Sequence, residues 1–180
     1  SLYNQDTKFP EDFNPDDYNM YRISANAKLR DANLRDTNLS YANLNGADLT
    51  NADLRKADLR GADFRDAKIA GANLRGADFR DAKLAGANLK GCLYNEKTKF
   101  SQNFTPENHQ MYLISPNADL KDADLAYAHL SGAHLTLANL RDTNLARVNL
   151  RGSNLSDADL RGANLTSANL RGTNLIRADL

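Results

Sequence analysis

The stretch ANLRDTNLSYANLNGADLTN, residues 32–51, contains the pattern that decides the fold. A small residue, a polar residue and a leucine are followed by two polar or small residues, and this five-residue unit recurs over residues 27–94 and 118–180. Of 27 central positions 23 are Leu, and the others are Phe64, Ile69, Phe79 and Tyr94. An α-helix turns by about 100° per residue, so a five-residue period scatters the leucines around its axis. The repeat therefore excludes a single helix with one apolar face.

The same unit fits a short strand followed by a corner. In a strand, residues two apart share a face, so the small residue and the leucine both point inward while the polar residue between them points outward. All ten glycines lie two positions after the central residue, where a tight turn with positive φ favours Gly, Asp or Asn. Lys56, Tyr127, Leu137 and Arg147 hold the same position, which suggests a different geometry at some corners.

Strands and corners in this order predict an all-β parallel solenoid with stacked leucines inside. Its expected sense is right-handed, because parallel crossovers nearly always are. The residues alone leave open whether a coil has three or four sides.

The tandem A(D/N)LXX units resemble those of the pentapeptide-repeat family. The resemblance implies a right-handed quadrilateral parallel β-helix with four repeats per coil. Coils of such a solenoid contact only their neighbours, so their stability depends on protected ends. The family includes members that protect DNA gyrase by presenting acidic rods similar to a DNA duplex.

Two irregular segments interrupt the repeats, and they are copies of one another. LYNQDTKFPEDFNPDDYNMYRIS at residues 2–24 aligns without a gap with LYNEKTKFSQNFTPENHQMYLIS at residues 93–115, at an offset of 91. Asn14 before Pro15 and Thr105 before Pro106 are typical of a helix N-cap followed by proline. We therefore expect short helices over residues 15–20 and 106–111.

The duplicated segment suggests four parts of the chain. They are an aromatic leader that caps the first coil (1–26), a first repeat block (27–94), a helix-bearing insertion (95–117) and a second repeat block (118–180). The spacing from Tyr94 to Leu120 is one residue more than five repeats, which favours one continuous solenoid from which the insertion bulges out. Two short rods with a break near residues 95–117 are the alternative.

Composition limits the classes of function. Lys plus Arg equal Asp plus Glu at 23 each, so the formal net charge is zero. This balance disfavours nucleic-acid binding, and it disfavours an acidic imitation of DNA that binds a topoisomerase such as DNA gyrase. The single cysteine, Cys92, excludes a disulfide framework and a cysteine metal cluster. With no apolar run of membrane-spanning length and no signal-peptide layout, we expect no membrane partner and a cytoplasmic location.

Outward positions supply the candidate interaction surface. With four sides, Arg35, Arg55 and Arg75 form one column on the first block. The favoured interpretation of such columns is a self-neutralising ladder, because five aspartates lie two residues before an arginine on the same face: Asp53, Asp58, Asp63, Asp78 and Asp159. In the second block, the outward apolar residues are the first candidates for a partner contact: Tyr127, Leu137 and Ile176.

These features predict a non-enzymatic scaffold or protein-binding module with an unidentified protein partner. The chain lacks a nucleophile elbow and a phosphate-binding glycine loop, and a leucine-filled interior leaves no room for a small-molecule substrate. His129 and His134 lack the carboxylates that a metal site would need, so no metal and no cofactor are expected. Leu180 ends in the middle of a repeat and leaves an open coil end, so either the natural chain continues or two molecules stack, and we expect a weak end-to-end homodimer. Binding to DNA gyrase is the alternative function.

Overall fold

Parallel bridges between residues 20 apart define the architecture. The computed structural model describes residues 2–4, 7, 8, 10 and 20–180. Lys28 bridges to Asp48, Asn33 to Asp53, and the bridges recur at every fifth residue along each block. A register of 20 residues with a bridge every five residues gives four sides to each coil. The chain is therefore a four-sided β-helix solenoid, and its right-handed sense stays a prediction.

Among the described residues, continuous strands occur only where the repeats are interrupted. They are β1 (Leu2–Tyr3), β2 (Tyr21–Arg22), β3 (Leu93–Tyr94) and β4 (Tyr112–Leu113). β1 pairs with β2 and β3 pairs with β4, both in parallel. Elsewhere each side of a coil has a single bridging residue, because the corners take up the rest of the repeat.

Every corner of the two repeat blocks is left-handed, including those without glycine. Lys56, Tyr127, Leu137 and Arg147 have φ values of 58°, 61°, 60° and 56°, so the expectation of a different geometry at these corners is wrong. The neighbouring coil holds most of these corners in place: the amide of Leu137, for example, donates to the carbonyl of Ser156 at 3.0 Å. A left-handed residue other than glycine costs about 1–2 kcal/mol. The ladder hydrogen bonds thus hold Leu137 in a left-handed backbone conformation that is unfavourable for leucine.

The inward side chains form two separate cores. The first core extends from Ala27 to Cys92 and includes Met111, whereas the second contains Leu93, Ile114 and the inward residues of 118–160. Ladder hydrogen bonds join coils within residues 21–114 and within 117–179, and among the described residues none joins one set to the other. This arrangement differs from the expected single continuous solenoid.

The segment between the blocks closes the first core instead of bulging out. Phe100 stacks on Phe79 with ring centroids 5.8 Å apart, and Phe104 stacks on Phe100 at 4.6 Å. Both rings and the buried Met111 pack against the first core. Because the segment offers three large apolar side chains, the end of the first stack is the nearest place where they can leave water.

The expected helices are not supported. Within 106–111 the described structure has only a four-residue 3₁₀ turn, Pro106–His109, and Thr105 makes no side-chain cap. Gln110 is left-handed, with a φ of 54°, and ends the turn. No residue of the turn is buried, so nothing offsets the cost of helix nucleation. The helix expected over 15–20 falls on residues 15–19, which lie outside the described residues. Among the described residues, no helix has the length and apolar character of a membrane span.

Candidate interaction surface at the junction of the two blocks

Leu93 is an apolar residue in a polar column. Asn33, Asp53 and Asn73 bridge to one another in order, and Asn73 bridges to Leu93. The neighbouring Cys92 points into the first core, so strand alternation turns Leu93 outward. Yet Leu93 is only 1% exposed and belongs to the second core. A leucine on the side of the first block therefore fills the open end of the second block.

The β3–β4 pair is a two-stranded sheet with an apolar side chain on each face, and the two faces pack against different cores. Leu93, Tyr112 and Ile114 pack against the second core. Tyr94 and Met111, which alternate with them along the strands, pack against the first core. The segment that follows the first block thus closes the last coil of one stack and the first coil of the next. The contact surface between these two stacks is called the junction below.

The N-terminal leader repeats half of this arrangement. Leu2, Tyr21 and Ile23 pack against the first core, at an offset of 91 from Leu93, Tyr112 and Ile114. The hydroxyl of Tyr21 accepts from the amide of Asn33 at 3.4 Å, and the hydroxyl of Tyr112 accepts from the amide of Asp124 at 3.4 Å. The described part of the leader therefore covers the first coil in the same way as the β3–β4 pair covers the second block.

Polar side chains of the first block complete the junction. Asn73 Nδ2 donates to the His129 carbonyl at 2.6 Å, and Arg75 Nη2 donates to the carbonyls of His129 and Ser131 at 3.2 Å each. Arg55 Nη1 donates to Ser131 Oγ at 3.2 Å. No ladder bond of the described chain uses these two carbonyls. The backbone carbonyls at this end of the second block would otherwise lack partners, and side chains of the first block donate to them.

The junction keeps a buried guanidinium charged. Arg75 is 8% exposed, and its burial, followed by the nearby charge of Arg55, lowers the pKa of Arg75 to about 10. That value still leaves a cation at neutral pH. Burial acts to raise the pKa of Asp53, but the side-chain hydrogen bond from Arg55 Nε at 2.7 Å, the Arg55 amide and the Arg55 charge together outweigh it and leave this pKa below its ordinary value. The Asp53–Arg55 pair is thus ionised beside the junction.

The predicted arginine column is largely occupied within the molecule. Arg35 is exposed and pairs with Asp36 at 2.9 Å, whereas Arg55 and Arg75 contact the second block. Sequence reasoning missed Leu93, Asn73 and the acceptors on the second block. An apolar residue at an outward position of a polar column was the available signal for Leu93.

The predicted apolar residues of the second block lie on two different edges. The amide of Leu137 donates to Ser156 and that of Asp157 donates to the Ile176 carbonyl, so Leu137 and Ile176 lie along one edge. Tyr127 precedes Leu137 by two corners and therefore lies on the diagonally opposite edge. Tyr127, Leu137 and Ile176 are 60%, 56% and 61% exposed. The guanidinium of Arg147 lies 5.5 Å from the centre of the Tyr127 ring.

The aspartates of the repeat are neutralised by arginines on the same face. Arg60 donates to Asp58 at 2.8 and 2.6 Å, and the same contact recurs in four other pairs: Asp53–Arg55, Asp63–Arg65, Asp78–Arg80 and Asp159–Arg161. These hydrogen bonds lower the pKa of three carboxyls to about 2: Asp58, Asp63 and Asp159. The predicted self-neutralising ladder is confirmed.

No chemistry-bearing cluster accompanies this surface in the described part of the chain. Residues 2–4, 7, 8, 10 and 20–180 contain no group of three or more side chains suited to hold a metal. The Cys92 thiol donates to the Ile69 carbonyl at 3.0 Å, and burial raises the pKa of Cys92 to about 12. The described side chains of the junction offer hydrogen-bond donors and an apolar surface, which are suited to contact with a protein.

Comparison with known proteins gives a family match and several similar solved structures. The Pentapeptide repeats profile matches eight copies, over residues 27–66, 57–93, 118–157 and 143–180. The chain is 32% identical to HetL, a pentapeptide repeat protein involved in heterocyst differentiation regulation from the cyanobacterium Nostoc sp. strain PCC 7120, over 89% of this chain and 77% of that chain, with a TM-score of 0.36. It is 26% identical to the pentapeptide repeat protein Rfr23 from the cyanobacterium Cyanothece 51142, over 74% of this chain and 63% of that chain, with a TM-score of 0.35.

A plasmid-mediated fluoroquinolone resistance protein, QnrB1, is 18% identical, over 90% of this chain and 80% of that chain, with a TM-score of 0.27. No curated protein matches. With matched repeats over residues 27–93 and 118–180, the chain belongs to the pentapeptide-repeat family.

Proposed function

We propose that this protein is a non-enzymatic scaffold that binds another protein through the sides and edges of its solenoid. The junction is the observation that carries the proposal. There, one side of the first block binds a folded stack through an apolar anchor, Leu93, and through the donors Asn73 and Arg75. The repeat can thus supply a specific protein contact when one polar outward position is replaced by an apolar residue.

The Tyr127 edge of the second block is the proposed partner contact. Tyr and Arg are the residues most often found to dominate binding energy at protein interfaces, and Arg147 already lies over the Tyr127 ring. The ladder holds the backbone of both residues, so little freedom is lost on binding. The Leu137 edge is about equally exposed, but its cation, Arg177, is paired with Asp157.

Affinity capture from the source cell tests the proposal with two matched variants, Tyr127→Asn and Leu137→Asn. Both replace an exposed apolar corner residue by one that tolerates positive φ, so neither should disturb the coil. Loss of an interface anchor worth about 1.4 kcal/mol weakens a complex tenfold. Quantitative mass spectrometry should therefore show at least about a tenfold loss of partner for Tyr127→Asn and retention for Leu137→Asn. An unchanged set of captured proteins for Tyr127→Asn would reject this edge.

Binding to DNA gyrase remains the alternative. It gains no support from charge, because the repeat aspartates are paired with arginines and the net charge is zero. A supercoiling assay with purified gyrase should show no inhibition, and inhibition at low protein concentration would favour the alternative. The cytoplasmic location and the end-to-end homodimer also stay predictions.

A further inference from the structure

The end of the first block that carries the leader is called the open end below, because no second block contacts it within the described residues. It repeats the junction, but the described residues there include no counterpart of the donors Asn73 and Arg75. A cavity of about 870 Å³ lies at this end, and a cavity of about 340 Å³ lies at the junction. Their linings correspond at the offset of 91: Asn4 to Asn95, Ile23 to Ile114 and Ser24 to Ser115. The side chain of Arg75 enters the junction cavity from the neighbouring block, whereas the one arginine in the described lining of the larger cavity, Arg22, belongs to the leader itself.

The acceptors are preserved in the first block. Asn38 and Ser40 correspond to His129 and Ser131, whose carbonyls accept from Asn73 and Arg75 at the junction. Nothing in the described part of the chain donates to the carbonyls of Asn38 and Ser40, and both residues line the larger cavity. Ser131, whose hydroxyl accepts a hydrogen bond from Arg55 at the junction, corresponds to a serine in the first block, Ser40.

One exposed face of the second block offers the matching donors. The junction uses the sequence Asn73-Leu74-Arg75, and Asn149-Leu150-Arg151 and Asn169-Leu170-Arg171 repeat it one coil apart. Arg151 and Arg171 are exposed, and within the described residues neither forms an ion pair.

Other faces of the second block fit less well. Arg141 and Arg161 both contact Asp159. The positions that correspond to Asn73 and Arg75 at the offset of 91 are Asn164 and Thr166, which supply no guanidinium. The face formed by 149–151 and 169–171 is therefore the one that combines the amide and the unpaired cation.

We propose that the open end of the first block binds the 149–151 and 169–171 face of a second copy of this chain. In this contact an asparagine Nδ2 and an arginine guanidinium donate to the carbonyls of Asn38 and Ser40, as Asn73 and Arg75 do at the junction. The two surfaces differ, so the contact is heterologous and each molecule keeps one free end and one free face. Association then continues beyond the dimer into open chains.

Sedimentation velocity of the full chain over a concentration series tests the proposal. The wild-type average mass should rise past that of a dimer as the concentration increases. Arg151→Glu combined with Arg171→Glu removes the face, and Ser40→Lys places a cation where the guanidinium must arrive. Each variant alone should remain monomeric where the wild type associates. Lys121→Glu combined with Arg141→Glu changes the same charge on another face and should associate like the wild type.

Mixing the two deficient variants separates this geometry from any symmetric dimer. The face variant keeps an intact end and the Ser40 variant keeps an intact face, so an equimolar mixture should form a one-to-one dimer and stop there. Circular dichroism confirms that both variants are folded. A wild type that stays monomeric at millimolar concentration would overturn the proposal. So would association that survives in both variants, or a mixture of folded variants that stays monomeric.

Discussion

Replacing Leu93 by alanine should weaken the second block and leave the first block almost unchanged. The Leu93 side chain is 1% exposed and lies in the second core, although its backbone belongs to the ladder of the first block. Truncating a buried leucine costs about 2–5 kcal/mol, and the cost is highest where the surroundings cannot collapse. Strand β3 is held by bridges on both sides, to Asn73 and to Tyr112, so little collapse is expected.

Hydrogen exchange with mass spectrometry can localise this loss. Because solenoid stability is a sum of contacts between neighbouring coils, the free energy of opening should fall by about 2–5 kcal/mol for amides of residues 117–160, which means at least roughly thirtyfold faster exchange. Amides of residues 29–60 should exchange at the wild-type rate. Leu89→Ala is the matched control, since Leu89 points into the first core. Equal acceleration of both blocks by Leu93→Ala, or none in the second, would refute the reasoning.

Three further predictions concern the corners, the ion pairs and the thiol. Leu137→Gly should stabilise the protein by up to about 1 kcal/mol in urea unfolding, since it removes left-handed strain, and Gly152→Ala, whose added Cβ meets nothing within 4 Å, should destabilise it by about 1 kcal/mol. The opposite sign for either change would contradict the strained-corner account. The hydrogen bond from Arg65 lowers the pKa of Asp63 from 3.8 to about 2, so the pair stabilises the fold above pH 3.8 and this contribution is lost as the pH falls through 2. A carboxyl NMR titration should place the Asp63 midpoint near 2, and Arg65→Ala should return it towards 3.8, whereas an unmoved midpoint would disprove the pairing. Cys92, with a pKa raised to about 12 by burial, should react with a thiol reagent at pH 8 only as the first core opens, and a rate equal to that of a free thiol would show that it is accessible.

The repeat made the coil predictable because its chemistry is local. A leucine and a small residue two apart, a polar residue between them and a turn-forming residue at the corner specify one strand and one turn. The Asp–Arg pairs follow from the same spacing, since residues two apart on a strand share a face. Four sides came from the resemblance to the family, and the bridges between residues 20 apart agree with it.

What escaped prediction depends on contacts between distant parts of the chain. Leu137 looked unsuited to a left-handed corner, but the coil above fixes its backbone. Pro106 and its neighbours had the signals of a helix, yet the segment is short and its aromatic residues are used to cover the first core. Arg75 looked exposed because nothing local shows that the second block covers it.

The central claim is that the second block is seated on the side of the first block through Leu93. The most direct test is the set of nuclear Overhauser contacts from the Leu93 methyl groups in methyl-labelled protein. If the two blocks are joined in this way, Leu93 should give cross-peaks to methyl groups of the second core, within residues 114–160. Cross-peaks from Leu93 only to leucines of the first core, or none at all, would contradict it.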